Sequence, residues 1–204
     1  MSTIITSIDS GSPAMRAGLQ PGQQLLSING HTVVDVLDYR FYGYDPVSHL
    51  TLKNEDGSTQ SLTIHKDEGE DLGLNFDTYL MDEMRSCANH CIFCFVDQMP
   101  PGMRETLYFK DDDARLSFLQ GNYITLTNLT EREAQRIIDL RISPINVSVH
   151  TTDPKLHCTM LGNKNAERSL DYIRAFCKAG IVMNGQIVIC PGWNDGDQLR
   201  RTLR

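Results

Sequence analysis

The feature that most constrains this chain is a change of hydrophobic period that repeats along its second half. Thr130-Glu-Arg-Glu133 reads as a capping box opening a helix, with Ala134, Ile137 and Ile138 on its buried face. Residues 145–150 then alternate apolar and polar, as a strand does. A second helix is expected from about residue 165 to residue 179. Ala166, Leu170, Ile173 and Cys177 form its apolar stripe, which makes Cys177 a core residue, and Gly180 ends it. A further strand is expected over about 181–190, and residues 116–119 read as either a strand or a helix end. Strands alternating with helices indicate a parallel sheet, for which a partial (β/α) barrel is the natural architecture.

Strand period sorts the side chains of that sheet. In 145–150, Ile145, Val147 and Val149 share the helix-packed face, while Asn146, Ser148 and His150 share the other. A strand expected over 122–128 points Ile124 and Leu126 outward and Thr125 and Thr127 inward. In 181–190, Ile187 and Ile189 go outward, leaving Asn184, Gln186 and Cys190 inward. So many hydrogen-bonding groups aimed at one interior require a polar ligand or water there. His150, at the end of its strand, reads either as a satisfied structural histidine or as a functional one. The acidic run Asp111-Asp-Asp113 reads as a solvated helix start, the alternative being part of a substrate or partner site.

Cys87-Ala-Asn-His-Cys91-Ile-Phe-Cys94 carries the chemistry. Three thiolates in this tight spacing can hold one face of a 4Fe-4S cluster and leave one iron without a protein ligand. Such an open iron can be chelated by the amino and carboxylate groups of S-adenosylmethionine. A zinc knuckle that adds His90 is the competing reading, although structural zinc sites usually take two separated ligand pairs. Cys158 and Cys190 are loosely spaced candidates for an auxiliary cluster.

The C-x3-C-x2-C spacing, with Phe93 just before the last cysteine, resembles the radical S-adenosylmethionine enzymes. The resemblance implies that a reduced cluster donates one electron to the sulfonium, and that the resulting 5′-deoxyadenosyl radical abstracts hydrogen from a substrate. It implies Cys87, Cys91 and Cys94 as cluster ligands and Phe93 as packing near the cofactor. Gly121 and Asn122 stand where the family's glycine-rich segment holds the methionine amino group, without the usual Gly-Gly-Glu. Thr125, Thr127, Asn146, Ser148, His150 and Gln186 would line the pocket. A flavodoxin- or ferredoxin-like electron donor is implied as partner, and no catalytic side chain can be assigned.

Residues 1–76 hold 4 Lys and Arg against 10 Asp and Glu, a balance of −6 out of the chain's −7, which sets them apart as a module. An acidic chain without a basic patch is a poor partner for nucleic acid. The longest unbroken apolar run, residues 92–96, is far short of the ~20 residues of a membrane span, and the start lacks an export signal. A cytoplasmic location is therefore expected. The six cysteines are expected to be thiols or metal ligands.

Within this module a β-rich opening leads to a short helix capped by Ser12, with Pro13 first and Gly18 as its stop. A strand over 24–28 and the Asn29-Gly30 turn follow, then a helix over 33–42, then a hairpin of 49–53 and 61–65 closed by Asn54-Glu-Asp-Gly57. The string SPAMRAGLQPGQQLLSING resembles the bacterial PDZ domains over residues 3–70. That resemblance implies a site for a peptide or protein terminus, with Leu72-Gly-Leu-Asn-Phe76 as a carboxylate-binding loop displaced in order. A small β-domain that only packs on its neighbour is the alternative.

The two modules together, with CANHCIFCFVDQMPPGMRETLYFKDDDARLSFLQGNYITLTNLT and INVSVHTTDPKLHCTMLGN, are similar to bacterial iron-sulfur oxidoreductases that carry a C-terminal region catalogued as DUF 512. The fold expected is α/β. A PDZ-like domain over 1–70 is followed by a connecting segment and first barrel strand over 71–84, and then by the N-terminal part of an incomplete radical SAM-type (β/α) partial barrel over 85–204. Fewer strands can be placed than a full core carries. This implies truncation within the helix expected after Asn194-Asp-Gly-Asp197 and puts catalysis by this length of chain in question. The rival function is a PDZ-type adaptor with a non-catalytic cluster or zinc site.

Overall fold

The computed structural model describes residues 3–204. The chain divides into two compact units, one ending at Met84 and the other beginning at Arg85.

In the first unit, β1 (Ile5–Ile8) leads to α1 (Pro13–Arg16), where the Ser12 hydroxyl accepts from the Met15 N–H at 3.2 Å. β2 (Gln24–Ile28) turns through Asn29 and Gly30 into the short β3 (His31–Thr32). Both turn residues have positive φ, 51° and 81°, as a two-residue hairpin requires. The next helix, α2 (Val36–Tyr42), begins three residues later than expected. The Asp35 carboxylate caps it by accepting from the Leu37 N–H, while Val33 is still bonded back to the Leu26 carbonyl. β4 (Val47–Lys53) and β5 (Thr59–His65) pair in unbroken antiparallel register, each longer than the alternating runs alone suggest. The sheet order is β3-β2-β4-β5.

Leu74–Phe76 forms β6, which pairs antiparallel with β1. The expected first barrel strand in 71–84 is thus replaced by a strand that completes the first unit. Ile5, Leu25, Ile28, Leu50, Leu52 and Leu72, all essentially inaccessible, form this unit's interior.

The second unit builds its regular elements after the cysteine segment. Asp113 caps α3 (Ala114–Gln120), so residues 116–119 are helical, and Gly121 closes the helix at φ 78°. Thr130 and Glu133 form the full reciprocal capping box of α4 (Glu131–Asp139). β7 (Ile145–Ser148) follows, then α5 (Pro154–Leu161) with Asp153 as its cap and Pro154 in its first turn. α6 (Glu167–Ala179), β8 (Met183–Gln186) and α7 (Gly196–Thr202) complete the order. β7 and β8 pair in parallel, Ile145 with Met183 through Ser148 with Gln186. Ile124, Leu126, Ile137, Ile145, Val147 and Phe176 pack as the core beneath this sheet.

The strand expected over 122–128 is reduced to one parallel bridge, Ile124 with Val147, because Leu126 turns to φ 61°. Even so, Ile124 and Leu126 are buried as their apolar character demands. The strands of this unit form an unclosed parallel pair, short of the three expected over 122–128, 145–150 and 181–190. Cys177 is exposed, since the buried stripe of α6 runs through Ser169, Leu170, Tyr172 and Phe176. β8 stops at Gln186, so the in-out alternation does not reach Ile189, which is exposed. α5 was not anticipated, although Asp153-Pro154 and Gly162 are its start and stop signals. Among the described residues no helix is long and apolar enough to cross a membrane.

Gly162 and Gly180 both end helices with positive φ, 58° and 78°, but only Gly162 presses on other backbone. A Cβ there would lie 2.4 Å from the His90 carbonyl oxygen, whereas at Gly180 nothing lies within 4 Å. Gly180→Ala should therefore cost about 1–2 kcal/mol of left-handed strain. Gly162→Ala should exceed it by about 1 kcal/mol or more through displaced backbone. Denaturant unfolding of the two variants checks this, and equal losses would contradict the close approach.

Candidate functional site

The cysteine segment has no regular structure, and neighbouring elements hold it. The Cys87 N–H donates to the Lys110 carbonyl at 2.6 Å. His90 and Ile92 donate their N–H groups to the Leu161 and Met160 carbonyls at the end of α5, both at 2.9 Å. A turn closed by the Cys94 N–H on the Cys91 carbonyl, 3.0 Å, completes it.

Asn89, inside the motif and 1% exposed, is its buried pin. Its amide nitrogen donates to the Thr125 and Thr127 hydroxyls at 3.0 and 2.9 Å, and its oxygen accepts from Asn163 at 2.7 Å. Thr125 in turn donates its hydroxyl and its N–H to the two oxygens of Asp112, each at 2.6 Å. Asp112 is 2% exposed, and burial pushes its carboxyl up to about 6 despite those two bonds. Asp113, 1% exposed, pairs with Arg115 at 2.6 Å, and Asp111 accepts from Asn122. Asp112 and Asp113 are therefore a buried, hydrogen-bonded helix start and not the solvated one expected, while Asp111 is half-buried and lines the cleft.

Cys87, Cys91 and Cys94 all line one cleft of about 630 Å³. Phe93, Asn122, Thr125, Ser148, His150 and Gln186 line it too. The remaining expected pocket residues lie off it. Gly121 is spent as the α3 cap, Thr127 is tied to Asn89, and the Asn146 amide donates to the Gly121 carbonyl at 2.7 Å. Asn184 bonds to Asn146, and Cys190 lies off the cleft with its thiol toward the Val188 carbonyl. His90 is exposed and does not line the cleft, and neither does Cys158. Sequence reasoning missed Asn89, Phe109, Lys110, Tyr123 and Val188 as lining residues. Of these only Asn89 carried a signal, as a polar side chain set between two cysteines.

The His150 ring lies 4.5 Å from the Phe93 ring and accepts the Val188 N–H at Nδ1, 3.2 Å. That bond puts the proton of the neutral ring on Nε2. Burial lowers its pKa to about 4, with His157 a lesser cause, so the ring stays neutral near pH 7. His150 is thus a hydrogen-bonded residue that also lines the cleft. Burial raises the Cys87 thiol, helped by Asp112, and pushes Cys91 up to about 12, helped by Cys87 and Cys94. A metal at these sulfurs must displace protons. Among the described residues, no group of three or more His, Cys, Asp or Glu side chains comes together so as to hold a metal ion.

In the first unit, the amides expected to receive a terminal carboxylate already have partners. Gly73 N–H donates to Asp71 Oδ1 at 2.7 Å and Leu74 N–H to the Tyr39 hydroxyl at 3.2 Å. That hydroxyl donates to the same Asp71 oxygen at 2.7 Å. Burial, and then the Asp71 charge, raise the Tyr39 phenol above its ordinary range.

In this α/β unit three thiols and a few hydrogen-bonding groups thus line one largely apolar cleft. The family model for a radical SAM-like domain matches residues 66–204, and that for a PDZ domain matches residues 4–53. The first match covers more than half of the chain, which therefore belongs to the radical SAM-like domain family. No curated protein matches it.

The raised Asp112 pKa carries a pH dependence. Folding favours the protonated carboxyl, so its stabilisation is complete below about pH 4 and is lost as pH rises through about 6. Asp112→Asn removes that ionisation. Relative to the parent chain, the variant should gain roughly 3 kcal/mol between about pH 4 and about pH 8. Thermal melts across that range check it, and a pH-independent difference would contradict it.

Proposed function

We propose that this chain is an iron-sulfur, S-adenosylmethionine-dependent radical enzyme of the oxidoreductase group that its two-module sequence resembles. The observation that carries the reading is that Cys87, Cys91 and Cys94 line one cleft, together with hydrogen-bonding groups from Asn122, Thr125, Ser148 and Gln186. A donor set of three sulfurs, with His90 off the cleft, suits an iron-sulfur cluster better than a zinc knuckle. In this reading Cys87, Cys91 and Cys94 would hold the cluster as thiolates. When bound, such a cluster supplies the electron for reductive cleavage of S-adenosylmethionine.

The rest falls to the chain's own residues. Asn89 and the end of α5 hold the cysteine segment in place. Phe93, its ring tilted against His150, and Phe109 exclude water from around the sulfurs. The polar groups of the cleft orient a nucleotide and a polar substrate, and a flavodoxin- or ferredoxin-type donor delivers the electron.

Anaerobic reconstitution with iron and sulfide tests the reading. It predicts about four iron atoms per chain and release of 5′-deoxyadenosine on reduction with S-adenosylmethionine. Alanine at Cys87, Cys91 or Cys94 should abolish the product and most of the iron, while alanine at the exposed Cys177 should change neither. Binding of about one zinc and no iron would overturn it.

A further inference from the structure

Resting on that reading, we propose that Lys110 sets the reduction potential of the cluster held by the three cysteines, with Asp97 as the counter-charge that attenuates it. Lys110 is tied to both ends of the cysteine segment. Its carbonyl accepts the Cys87 N–H at 2.6 Å. Its ammonium donates to the Asn89 carbonyl, between Cys87 and Cys91, at 3.1 Å. The same ammonium donates to both oxygens of Asp97, three residues past Cys94, at 2.9 and 3.0 Å. Among the described residues that line the cleft it is the one that carries a positive charge, since His150 is neutral.

The other charged residue that lines the cleft, Asp111, is negative, and a second carboxylate, Asp112, lies behind Thr125. Reduction adds a negative charge to the cluster, so a nearby cation stabilises the reduced form more than the oxidised one and raises the potential. The Lys110 side chain is 19% exposed, where such an interaction is only partly screened by solvent. Asp97, half-exposed, offsets part of that charge. A lysine that served only to pin the Asn89 carbonyl would affect how much cluster is held and not its potential.

The test uses the full chain reconstituted anaerobically, as the parent and as Lys110→Met, Lys110→Arg and Asp97→Asn. Iron and sulfide content are measured first, then the midpoint potential by a redox titration followed by electron paramagnetic resonance. Lys110→Met should shift the midpoint down, Asp97→Asn should shift it up, and Lys110→Arg should stay near the parent. Midpoints that do not move, or that move in the same direction for Lys110→Met and Asp97→Asn, overturn the inference while the functional reading stands. If Lys110→Met takes up no cluster, the sign of the Asp97→Asn shift decides, and a midpoint unchanged or lowered overturns the proposal. A parent chain that takes up no iron overturns both readings.

Discussion

Two backbone hydrogen bonds, from His90 and Ile92 to the carbonyls of Leu161 and Met160, are the constraint on which the candidate site depends. Met160 and Leu161 are the last two residues of α5, so their carbonyls lack partners within the helix. The cysteine segment has the opposite shortage, N–H groups with no ladder of their own. Each satisfies the other, and Gly162 lets the two backbones approach closely. The geometry of the thiols therefore traces back to Asp153-Pro154 and Gly162, which start and stop a helix of eight residues.

Behind that contact, the network of Asn89, Thr125, Thr127 and Asp112 ties the segment to the Ile124–Val147 bridge and so to the core. A buried polar network of this kind is costly if any member lacks a partner and rigid when all are satisfied. Here Asn89 uses both ends of its amide, and Asp112 has a donor on each oxygen. The cost appears as a carboxyl that resists ionisation. The benefit is that Asn89 and Thr125 are fixed in the cleft that the three sulfurs and Lys110 also line.

Much of the fold was legible locally. Ser12-Pro13, Asn29-Gly30, the Thr130–Glu133 capping box and Gly180 act through their own backbone and side chains, and each does in the structure what its chemistry dictates. The three cysteines, with Asn122, Thr125, Ser148, His150 and Gln186, were placed on one cleft by strand period and resemblance. What period could not supply was long-range. Leu126 leaves the extended region, so 122–128 never becomes a strand although its apolar residues are buried as expected. Cys177 reads as core on a helical stripe, but Phe176 and Tyr172, larger, take the interior and rotate it outward. Asp112 and Asp113 read as solvated because charge favours water, a preference overridden by Thr125 and Arg115. Lys110 gave no sign, since its role depends on a carbonyl and a carboxylate on a different segment.

The account's central claim is that the three sulfurs hold a cluster with one iron open to S-adenosylmethionine. The most direct measurement is the electron paramagnetic resonance spectrum of the reconstituted, dithionite-reduced chain before and after S-adenosylmethionine is added. The account predicts a reduced-cluster signal whose g-values change on addition, because the nucleotide binds the iron itself. A signal that is unchanged, or no cluster signal at all, would contradict it.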